Sequence, residues 1–332
     1  MSAEDSTLLD IKGLCVSFRT PRGELFALRG VDLRVNAGEI LGLVGESGSG
    51  KSVTLRAITQ LLRANARISG HIVWRGQDLT VLSEAELSTI RGRQIATIFQ
   101  EPMTALNPVM TIGQQIDESL NLLRRFDARG RRKRALELMG LVGIASAERR
   151  LHSYPFEFSG GMRQRAMIAI ALASEPVLLL ADEPTTALDV TIQDQILKLL
   201  GGLVDDLGLT LVIVTHDLGV VAETCENVCV MYAGRVVERG PVAEVFSNPR
   251  HAYTHALLRS VPGSGRAREL LAYIPGQPPR LDSMPSGCAF APRCGYCEDR
   301  CLSESPAAVA VSPDHVAACF AAGRLAEVRE PQ

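Results

Sequence analysis

The sequence predicts an α/β fold in which a mostly parallel β-sheet is covered by helices on both faces. Short apolar segments typical of buried strands alternate with helix-like segments through much of the chain. One buried strand is followed by a glycine-rich turn, and another ends in two adjacent carboxylates. The 332 residues are enough for one large domain with an appendage, or for two ordinary domains.

The order of the elements follows from hydrophobic periodicity and turn residues. Strands are predicted at 14–18, 31–35, 40–44, 68–74, 95–99, 177–181 and 210–214, with a closing hairpin at 228–231 and 235–238. Helices are predicted at 52–62, 161–173 and 190–207, and helical structure throughout 104–160. Residues 1–248 are expected to form the main domain, with a helical part at about 101–164, and residues 249–332 a C-terminal extension broken by prolines.

Composition and charge restrict the class of protein. Of the residues, 46% are hydrophobic and 22% are charged, which suits a packed globular protein. The net charge of −2 does not favour nucleic acid as a partner. The basic run at 124–134 contains a single aromatic residue, Phe126, and the net charge is not basic, so the run is interpreted as a solvated helix face.

No apolar run is long enough to span a bilayer, and the first residues do not resemble a signal peptide. We therefore expect a cytoplasmic chain that reaches a membrane only through partner proteins.

The glycine-rich turn has the pattern of a phosphate-binding loop. Residues 45–52 read Gly-Glu-Ser-Gly-Ser-Gly-Lys-Ser, which matches G-x-x-x-x-G-K-[ST] in full, after a buried strand and before a helix. Glycines let backbone N–H groups turn inward around phosphates, and the helix N-terminus adds partial positive charge. Lys51 is expected to reach the β- and γ-phosphates, and Ser52 to bind Mg²⁺. The predicted nucleotide contacts of the loop are Gly45, Ser47, Gly48, Ser49, Gly50, Lys51, Ser52 and Val53.

A second motif predicts hydrolysis of the bound phosphate. The apolar segment 177–181 runs directly into Asp182 and Glu183. Packing does not explain adjacent acids at the end of a buried strand, because carboxylates are rarely buried without a partner. Asp182 is therefore expected to help hold Mg²⁺, and Glu183 to orient or deprotonate the attacking water. Together the two motifs indicate a P-loop NTPase.

A third motif narrows the class further. Residues 158–165 read Phe-Ser-Gly-Gly-Met-Arg-Gln-Arg, which resembles the L-S-G-G-Q signature of ABC-transporter ATPases with departures at Phe158 and Met162. The resemblance implies a RecA-like core with an antiparallel β-subdomain and an α-helical subdomain. It also implies that two ATPase subunits enclose two nucleotides. The signature residues that would face the opposing subunit's γ-phosphate are Ser159, Gly160, Gly161 and Met162.

The same resemblance implies roles for residues outside these three motifs. Gln100 matches the glutamine that senses Mg²⁺ and water and links to the membrane domain, and His216 matches the histidine that contacts the γ-phosphate. Residues 187–189 match the loop that crosses the dimer interface, with Asp189 as its acid. Phe18 lies where an aromatic residue usually stacks on adenine. The implied Mg²⁺ ligands are Ser52, Gln100 and Asp182.

Three further stretches resemble the D-type ATPase subunits of oligopeptide and dipeptide permeases. Residues 100–108 resemble that group's extended glutamine loop, and residues 154–165 its extended signature, with Phe156 in place of a histidine. Residues 249–254 resemble the start of its C-terminal extension, with Ala252 in place of a proline. Nickel and some sugar importers share this architecture, so peptide is the implied cargo and another small solute remains open.

The resemblance implies a mechanism with several partners. ATP would bind between this chain and a second, related ABC ATPase subunit, and hydrolysis would drive import through two transmembrane permease subunits. An extracytoplasmic peptide-binding protein would deliver the cargo, and the chain would lie at the cytoplasmic face of the inner membrane. A soluble ABC ATPase acting on ribosomes or DNA is the alternative, although the chain has one cassette and no coiled-coil insertion. A catalytically inactive module is disfavoured by Glu183 and His216.

Five of the eight cysteines crowd into the last 45 residues. In a reducing compartment such crowding favours metal over disulfides. Four of the five match the positions that bind a [4Fe–4S] cluster in peptide-permease ATPases, namely Cys288, Cys294, Cys301 and Cys319. From the residues alone zinc remains open, held by cysteines with His315 or Cys297 as further ligands, and so does a disulfide pair. A structural role is expected, because an extension broken by prolines needs a cross-link.

Overall fold

The computed structural model describes residues 7–21, 23–186, 188–260 and 273–325. The chain divides into unit 1, which comprises Met1–Asn36, Leu41–Val81 and Thr215–Gln332, and unit 2, which comprises Ala37–Ile40 and Leu82–Val214. In chain order the described strands are β1 (Thr7–Thr20), β2 (Gly23–Asn36), β3 (Ile40–Val44), β4 (Ala66–Trp74), β5 (Gln77–Asp78), β6 (Ile95–Ile98), β7 (Leu178–Asp182), β8 (Thr210–Thr215), β9 (Asn227–Tyr232), β10 (Arg235–Pro241), β11 (Val309–Ala310) and β12 (Val316–Ala317). The described α-helices are α1 (Lys51–Ile58), α2 (Glu84–Ile90), α3 (Pro102–Ala105), α4 (Ile112–Asn121), α5 (Ala128–Leu141), α6 (Ala147–Arg150), α7 (Gly160–Leu172), α8 (Val190–Leu207), α9 (Leu218–Thr224), α10 (Val242–Ser247), α11 (Ala252–Arg259) and α12 (Asp299–Ser303).

Unit 1 contains an antiparallel sheet in the order β2-β1-β4-β5. The second half of β2 alternates buried and exposed side chains: Val31, Leu33 and Val35 are buried, and the residues between them are exposed. This period of two results because successive side chains of a strand point to opposite faces. The strands predicted at 14–18, 31–35 and 68–74 are confirmed within β1, β2 and β4.

A second set of strands in unit 1 pairs in the order β11-β12-β10-β9-β3. β3 pairs with β9 in parallel, from Leu41 opposite Asn227 to Val44 opposite Val230, and the remaining pairs are antiparallel. The predicted hairpin is confirmed: β9 and β10 are joined by Ala233 and Gly234, both with positive φ, of 48° and 79°. Two consecutive positive φ values are typical of the tight turn whose twist matches that of paired strands.

The C-terminal residues share one hydrophobic core with these strands. Tyr232 of β9, Tyr253 of α11 and Phe290 form a triangle of rings, with centroids 4.6, 5.3 and 5.5 Å apart. Val44 of β3 belongs to the same buried cluster. Tilted and edge-on ring contacts of this kind add roughly 0.5–1.5 kcal/mol each to the burial of apolar area. The described residues after 248 are therefore packed into unit 1 by large buried side chains.

Unit 2 is built on three parallel strands in the order β8-β7-β6. β7 and β8 are buried along their whole length, which explains why they read as continuous apolar segments. The helix predicted at 190–207 is confirmed as α8, which ends at Leu207 and is followed by a C-cap glycine, Gly208, with a φ of 64°. Among the described residues no helix is sufficiently long and apolar to cross a membrane.

The prediction that residues 104–160 are helical throughout is wrong, because the helices there are short and separated by non-helical segments. That region holds the separate helices α3 to α6 and a short 3₁₀ turn at Pro155–Glu157. The breaks between α4 and α5 and between α5 and α6 contain residues with positive φ, namely Arg124, Gly143 and Ser146. The sequence analysis also missed α2, which begins with reciprocal hydrogen bonds between Ser83 and Glu86. The helix predicted at 52–62 is shorter, because α1 ends at Ile58.

The basic run at 124–134 pairs with nearby acids of unit 2. Arg125 pairs with Glu175, and Arg131 lies 2.6 Å from Asp117. Most of the run is solvent-exposed, and α5 begins within it at Ala128. The interpretation as a solvated helix face agrees with this arrangement.

His251 is buried, and its Nδ1 accepts a hydrogen bond from the backbone N–H of Tyr253 at the start of α11. Burial lowers the pKa of His251 from 6.5 to about 3. The unfolded imidazole takes up a proton as the pH falls below 6.5, and the buried one does not, so acid favours unfolding.

Because of His251, the free energy of unfolding of the wild type should fall by about 2 kcal/mol when the pH is lowered from 7 to 5. His251→Asn keeps a hydrogen-bond acceptor but does not titrate. The free energy of unfolding of this variant should therefore fall by about 2 kcal/mol less than that of the wild type over the same pH range. Urea unfolding at the two pH values measures the difference. Equal losses in the two proteins would contradict the prediction.

Candidate functional site

The predicted phosphate loop lies in unit 1 between β3 and α1. All five residues of β3 are buried, Gly50 caps the start of α1 with a φ of 108°, and Lys51 is the first residue of the helix. Ser47 and Gly48 are exposed at the tip of the loop, and Ser52 and Val53 are half-buried in the first turn of α1. The loop therefore begins at the carboxyl end of a buried strand and turns directly into a helix N-terminus, as the motif requires.

Gly45 is required by the neighbouring strand. Its φ is 150°, and a Cβ placed on it would lie 2.2 Å from the carbonyl oxygen of Met231 in β9. Real Cβ atoms do not approach backbone that closely, so every other residue would push the loop away from β9. The first glycine of the motif thus allows β9 and the loop to approach closely.

Lys51 and Ser49 place polar groups inside the loop. The Lys51 ammonium is buried and donates to the carbonyl oxygens of Gly45, at 2.6 Å, and Glu46, at 3.1 Å. The Ser49 hydroxyl oxygen is buried and has no hydrogen-bond partner among the described residues. A buried hydroxyl without a partner is costly, and a phosphate oxygen would satisfy it. The loop therefore fits a ligand rich in oxygen acceptors.

Two other predicted nucleotide contacts lie in unit 1. Phe18 is half-buried on β1, where it pairs with Leu25 of β2 and Ala66 of β4. His216 is exposed and directly follows β8. The next residue, Asp217, caps α9 by accepting from the backbone N–H of Gly219 and Val220, which holds the backbone beside His216.

The predicted carboxylates lie at the end of β7 in unit 2. Asp182 is the last residue of this strand and is 7% exposed. Glu183 follows with a φ of 46°, a left-handed backbone that costs a non-glycine residue free energy. Its carboxylate accepts from the Gln100 side-chain amide, at 3.0 Å, and from the Thr186 hydroxyl, at 2.8 Å. The structure thus brings two predicted catalytic residues together and orients the acid with two donors.

The predicted signature lies at the start of α7, also in unit 2. Ser159 is the N-cap and accepts from the backbone N–H of Met162 at 3.3 Å, while Ser159 and Gly160 are both exposed. A Cβ on Gly161 would lie 2.7 Å from Ile192 of α8, so the close packing of these two helices requires glycine. Phe158, the departure from the usual leucine, is almost fully buried.

The loop before α8 is only partly described. Leu188 is half-buried, and Asp189 is exposed at the N-cap of α8 without a side-chain hydrogen bond to the helix. Ala187, the first residue of the predicted dimer loop, lies outside the described residues.

Four cysteines line one small cavity in unit 1, and they are the four that sequence analysis grouped: Cys288, Cys294, Cys301 and Cys319. Burial raises the pKa of the thiols of Cys288, Cys294 and Cys319, to about 11 for Cys294. Among the described residues, no three His, Cys, Asp or Glu side chains are placed to hold a single metal ion.

The further zinc ligands considered from sequence lie elsewhere. Cys297 is exposed and does not line the cavity. His315 is buried with Nε2 2.7 Å from Glu238 and Nδ1 3.8 Å from Glu244. The idea that His315 could join the cysteines is therefore wrong, because carboxylates face both of its nitrogens. The disulfide alternative is not supported either, since all eight cysteines are described as free thiols.

Sequence analysis missed two residues that contact the phosphate loop. The hydroxyl of Tyr253 accepts from the backbone N–H of Glu46 at 2.8 Å, and Arg293 forms an ion pair with the Glu46 carboxylate. Glu46 occupies a variable position of the motif, so nothing in the pattern marked it as a contact point.

The fold and the loop define the chain as a P-loop nucleotide-binding protein of the ATP-binding-cassette type. A family model described as ABC transporter matches residues 28–186, and one described as oligopeptide/dipeptide transporter, C-terminal region, matches residues 237–301. The chain therefore belongs to the ABC transporter family, and it is an ATPase for which ATP and Mg²⁺ are expected.

Relatives and solved structures agree with this family. A putative peptide import ATP-binding protein of Brucella melitensis is 51% identical over 94% of this chain and 96% of its own length. The oligopeptide transport ATP-binding protein OppD of Bacillus subtilis is 49% identical over 93% of this chain and 87% of its own. The dimeric ATP-binding cassette MJ0796, solved bound to ADP and Pi, matches with a TM-score of 0.64 and 31% identity over 71% of this chain and 99% of its own.

The contact between Gly45 and Met231 predicts unequal effects of two glycine substitutions in one loop. Gly48 has a φ of 79° but open space where a Cβ would lie, so Gly48→Ala should cost roughly 1–2 kcal/mol of stability. Gly45→Ala must also displace β9 or the loop, at a further cost of roughly 1–3 kcal/mol. Urea unfolding of both variants gives the comparison. A Gly45→Ala protein as stable as Gly48→Ala would show that the contact relaxes freely.

Proposed function

We propose that this chain hydrolyses ATP to drive import of di- or oligopeptides through partner membrane subunits. The observation that carries the proposal is the match of residues 237–301 to the C-terminal region of oligopeptide and dipeptide transporters. Relatives named for peptide import and oligopeptide transport, which align with nearly the whole chain, support the same cargo class.

Nucleotide binding is assigned to the phosphate loop. Lys51 and the loop N–H groups bind the phosphates, and the Ser49 hydroxyl donates to a phosphate oxygen. Ser52, Asp182 and Gln100 are the proposed Mg²⁺ ligands. When bound between these residues, Mg²⁺ would neutralise charge that develops on the phosphate oxygens. Phe18 is assigned to stacking on the adenine.

Hydrolysis is assigned to Glu183. Its carboxylate is held by Gln100 and Thr186, so the acid is oriented before water arrives. A fixed carboxylate can hold the attacking water in line with the γ-phosphate and accept its proton. His216 is assigned to the γ-phosphate.

A second ABC ATPase subunit, related but not identical, is the proposed partner in ATP binding. Ser159 and Gly160 are exposed at the N-terminus of α7, where backbone N–H groups and partial positive charge favour a phosphate. With Gly161 and Met162 they would face the nucleotide of that subunit, and Asp189 would lie at the dimer interface.

Two transmembrane permease subunits are the proposed partners beside Gln100, along the segment 100–107. Large apolar side chains in and around this segment are exposed: Phe99 by 47%, Met103 by 59% and Val109 by 79%. Such a cluster of exposed apolar residues is typical of a protein interface. The chain would thereby be held at the cytoplasmic face of the membrane, opposite an extracytoplasmic peptide-binding protein.

ATPase activity of the assembled complex tests this function. Peptide-loaded binding protein should stimulate hydrolysis, whereas Glu183→Gln should lower the rate roughly a hundredfold or more and accumulate complexes with bound ATP. Glu118→Gln, at an exposed glutamate of α4, is the matched control and should retain wild-type activity.

Two results would count against the proposal. Stimulation by nickel or another solute and not by peptide would replace the cargo class. Normal turnover in Glu183→Gln would remove Glu183 from the reaction.

We infer further that the cysteine cavity holds a [4Fe–4S] cluster rather than zinc. Four thiols line one cavity, and a [4Fe–4S] cluster needs four cysteine ligands. Zinc held by the same cysteines is the alternative, and metal analysis distinguishes the two. Bound, the cluster would cross-link the extension.

Metal analysis of anaerobically purified chain tests the cluster with a matched pair of variants. Cys294→Ser removes a thiol that lines the cavity and should lose most of the iron and sulfide, together with the visible absorption of the cluster. Cys297→Ser removes an exposed thiol outside the cavity and should retain both. One zinc per chain, or equal iron loss in the two variants, would rule the assignment out.

A further inference from the structure

Two side chains from the C-terminal region hold one residue of the phosphate loop. Glu46 follows Gly45, and its backbone N–H donates to the Tyr253 hydroxyl at 2.8 Å. Arg293 donates two parallel hydrogen bonds to the Glu46 carboxylate, from Nη1 at 2.7 Å and from Nη2 at 2.9 Å. Paired bonds between guanidinium and carboxylate fix orientation as well as distance. Both main chain and side chain of Glu46 are therefore constrained from outside the motif.

Arg293 is itself held on several sides. Its side chain is 5% exposed, Nε donates to the carbonyl of Pro275 at 2.9 Å, and Nη1 also reaches the Tyr232 hydroxyl at 3.2 Å. The partner Glu46 is 25% exposed, so solvent screens the pair only partly. These contacts make Arg293 a rigid support for the loop.

The constraint passes from Glu46 to the lysine of the motif. The Lys51 ammonium donates to the carbonyl oxygens of Gly45 and Glu46. Turning the peptide planes on either side of Glu46 would move both acceptors, and the ammonium with them. Arg293 can therefore act on the position of Lys51 without touching a nucleotide.

The support comes from the cysteine-bearing segment. Arg293 ends a short 3₁₀ turn, Ala291–Arg293, and directly precedes Cys294. Phe290, at the start of that turn, packs against Tyr232 and Tyr253. The backbone that carries the cavity's first two cysteines is thus the backbone that aims the guanidinium.

We propose that Arg293 is a positioning residue for ATP binding, through which the C-terminal extension sets the geometry of the phosphate loop. The proposal rests on the nucleotide role proposed above for Lys51. Loss of the pair should weaken ATP binding even in molecules that remain folded.

Calorimetric titration of the full chain with MgATP tests the proposal. Arg293→Gln and Glu46→Gln should each raise the dissociation constant for MgATP about tenfold. Arg293→Lys keeps the charge but not the paired bonds, and it should raise the constant by less. The double variant should bind no more weakly than either single one, because both remove one interaction. Arg280→Gln is the matched control: Arg280 makes a similar pair with Asp282, but both are solvent-exposed, and affinity should not change.

The outcomes separate this proposal from the proposed function. Lys51→Ala should abolish binding, and a wild type that does not bind MgATP would refute the nucleotide site itself. If the wild type binds and Lys51→Ala does not, affinities of Arg293→Gln and Glu46→Gln within twofold of wild type would overturn the proposal. Thermal unfolding is measured in parallel, since a purely structural role would lower the midpoint and leave the affinity of folded molecules unchanged. Should Arg293→Gln fail to fold, Glu46→Gln alone decides.

Discussion

The position of the phosphate loop in unit 1 depends on the close approach of Gly45 to the carbonyl oxygen of Met231. This approach exists because β3 and β9 pair in parallel, so that the carboxyl end of one strand lies beside the last residues of the other. The next residue of β9, Tyr232, belongs to the aromatic triangle that packs the C-terminal region. One short strand therefore contacts both the phosphate loop and the cysteine-bearing segment.

In unit 2 a buried strand likewise positions a functional group, here the side chain of Glu183. The acid Glu183 has a left-handed backbone at the end of a fully buried strand, and its carboxylate is fixed by an amide and a hydroxyl. Strained residues persist where the surrounding structure holds them firmly, and such places are commonly functional. The buried strand supplies that support, and the donors orient the oxygen atoms.

Much of the fold could be predicted because its signals are local. The helix at Val190–Leu207 follows from its apolar periodicity, and the hairpin turn at 233–234 from its short loop between two apolar segments. The breaks between α4 and α5 and between α5 and α6 could not be placed, because positive φ at Arg124 and Ser146 leaves no mark in the residue type. His315 was misjudged for a related reason: the sequence shows a possible ligand, but not the carboxylates that occupy it.

The sequence by itself determined the phosphate loop and the carboxylates after β7, because each is a short run whose chemistry is contained in its own residues. The signature and the choice of four cysteines followed from the resemblance to ABC-transporter ATPases. The tertiary structure alone decided which distant side chains contact these motifs. Gln100 meets Glu183 across 83 positions, and Arg293 meets Glu46 across 247. Such contacts depend on strand register and core packing, which sum over the whole unit, so no local pattern records them.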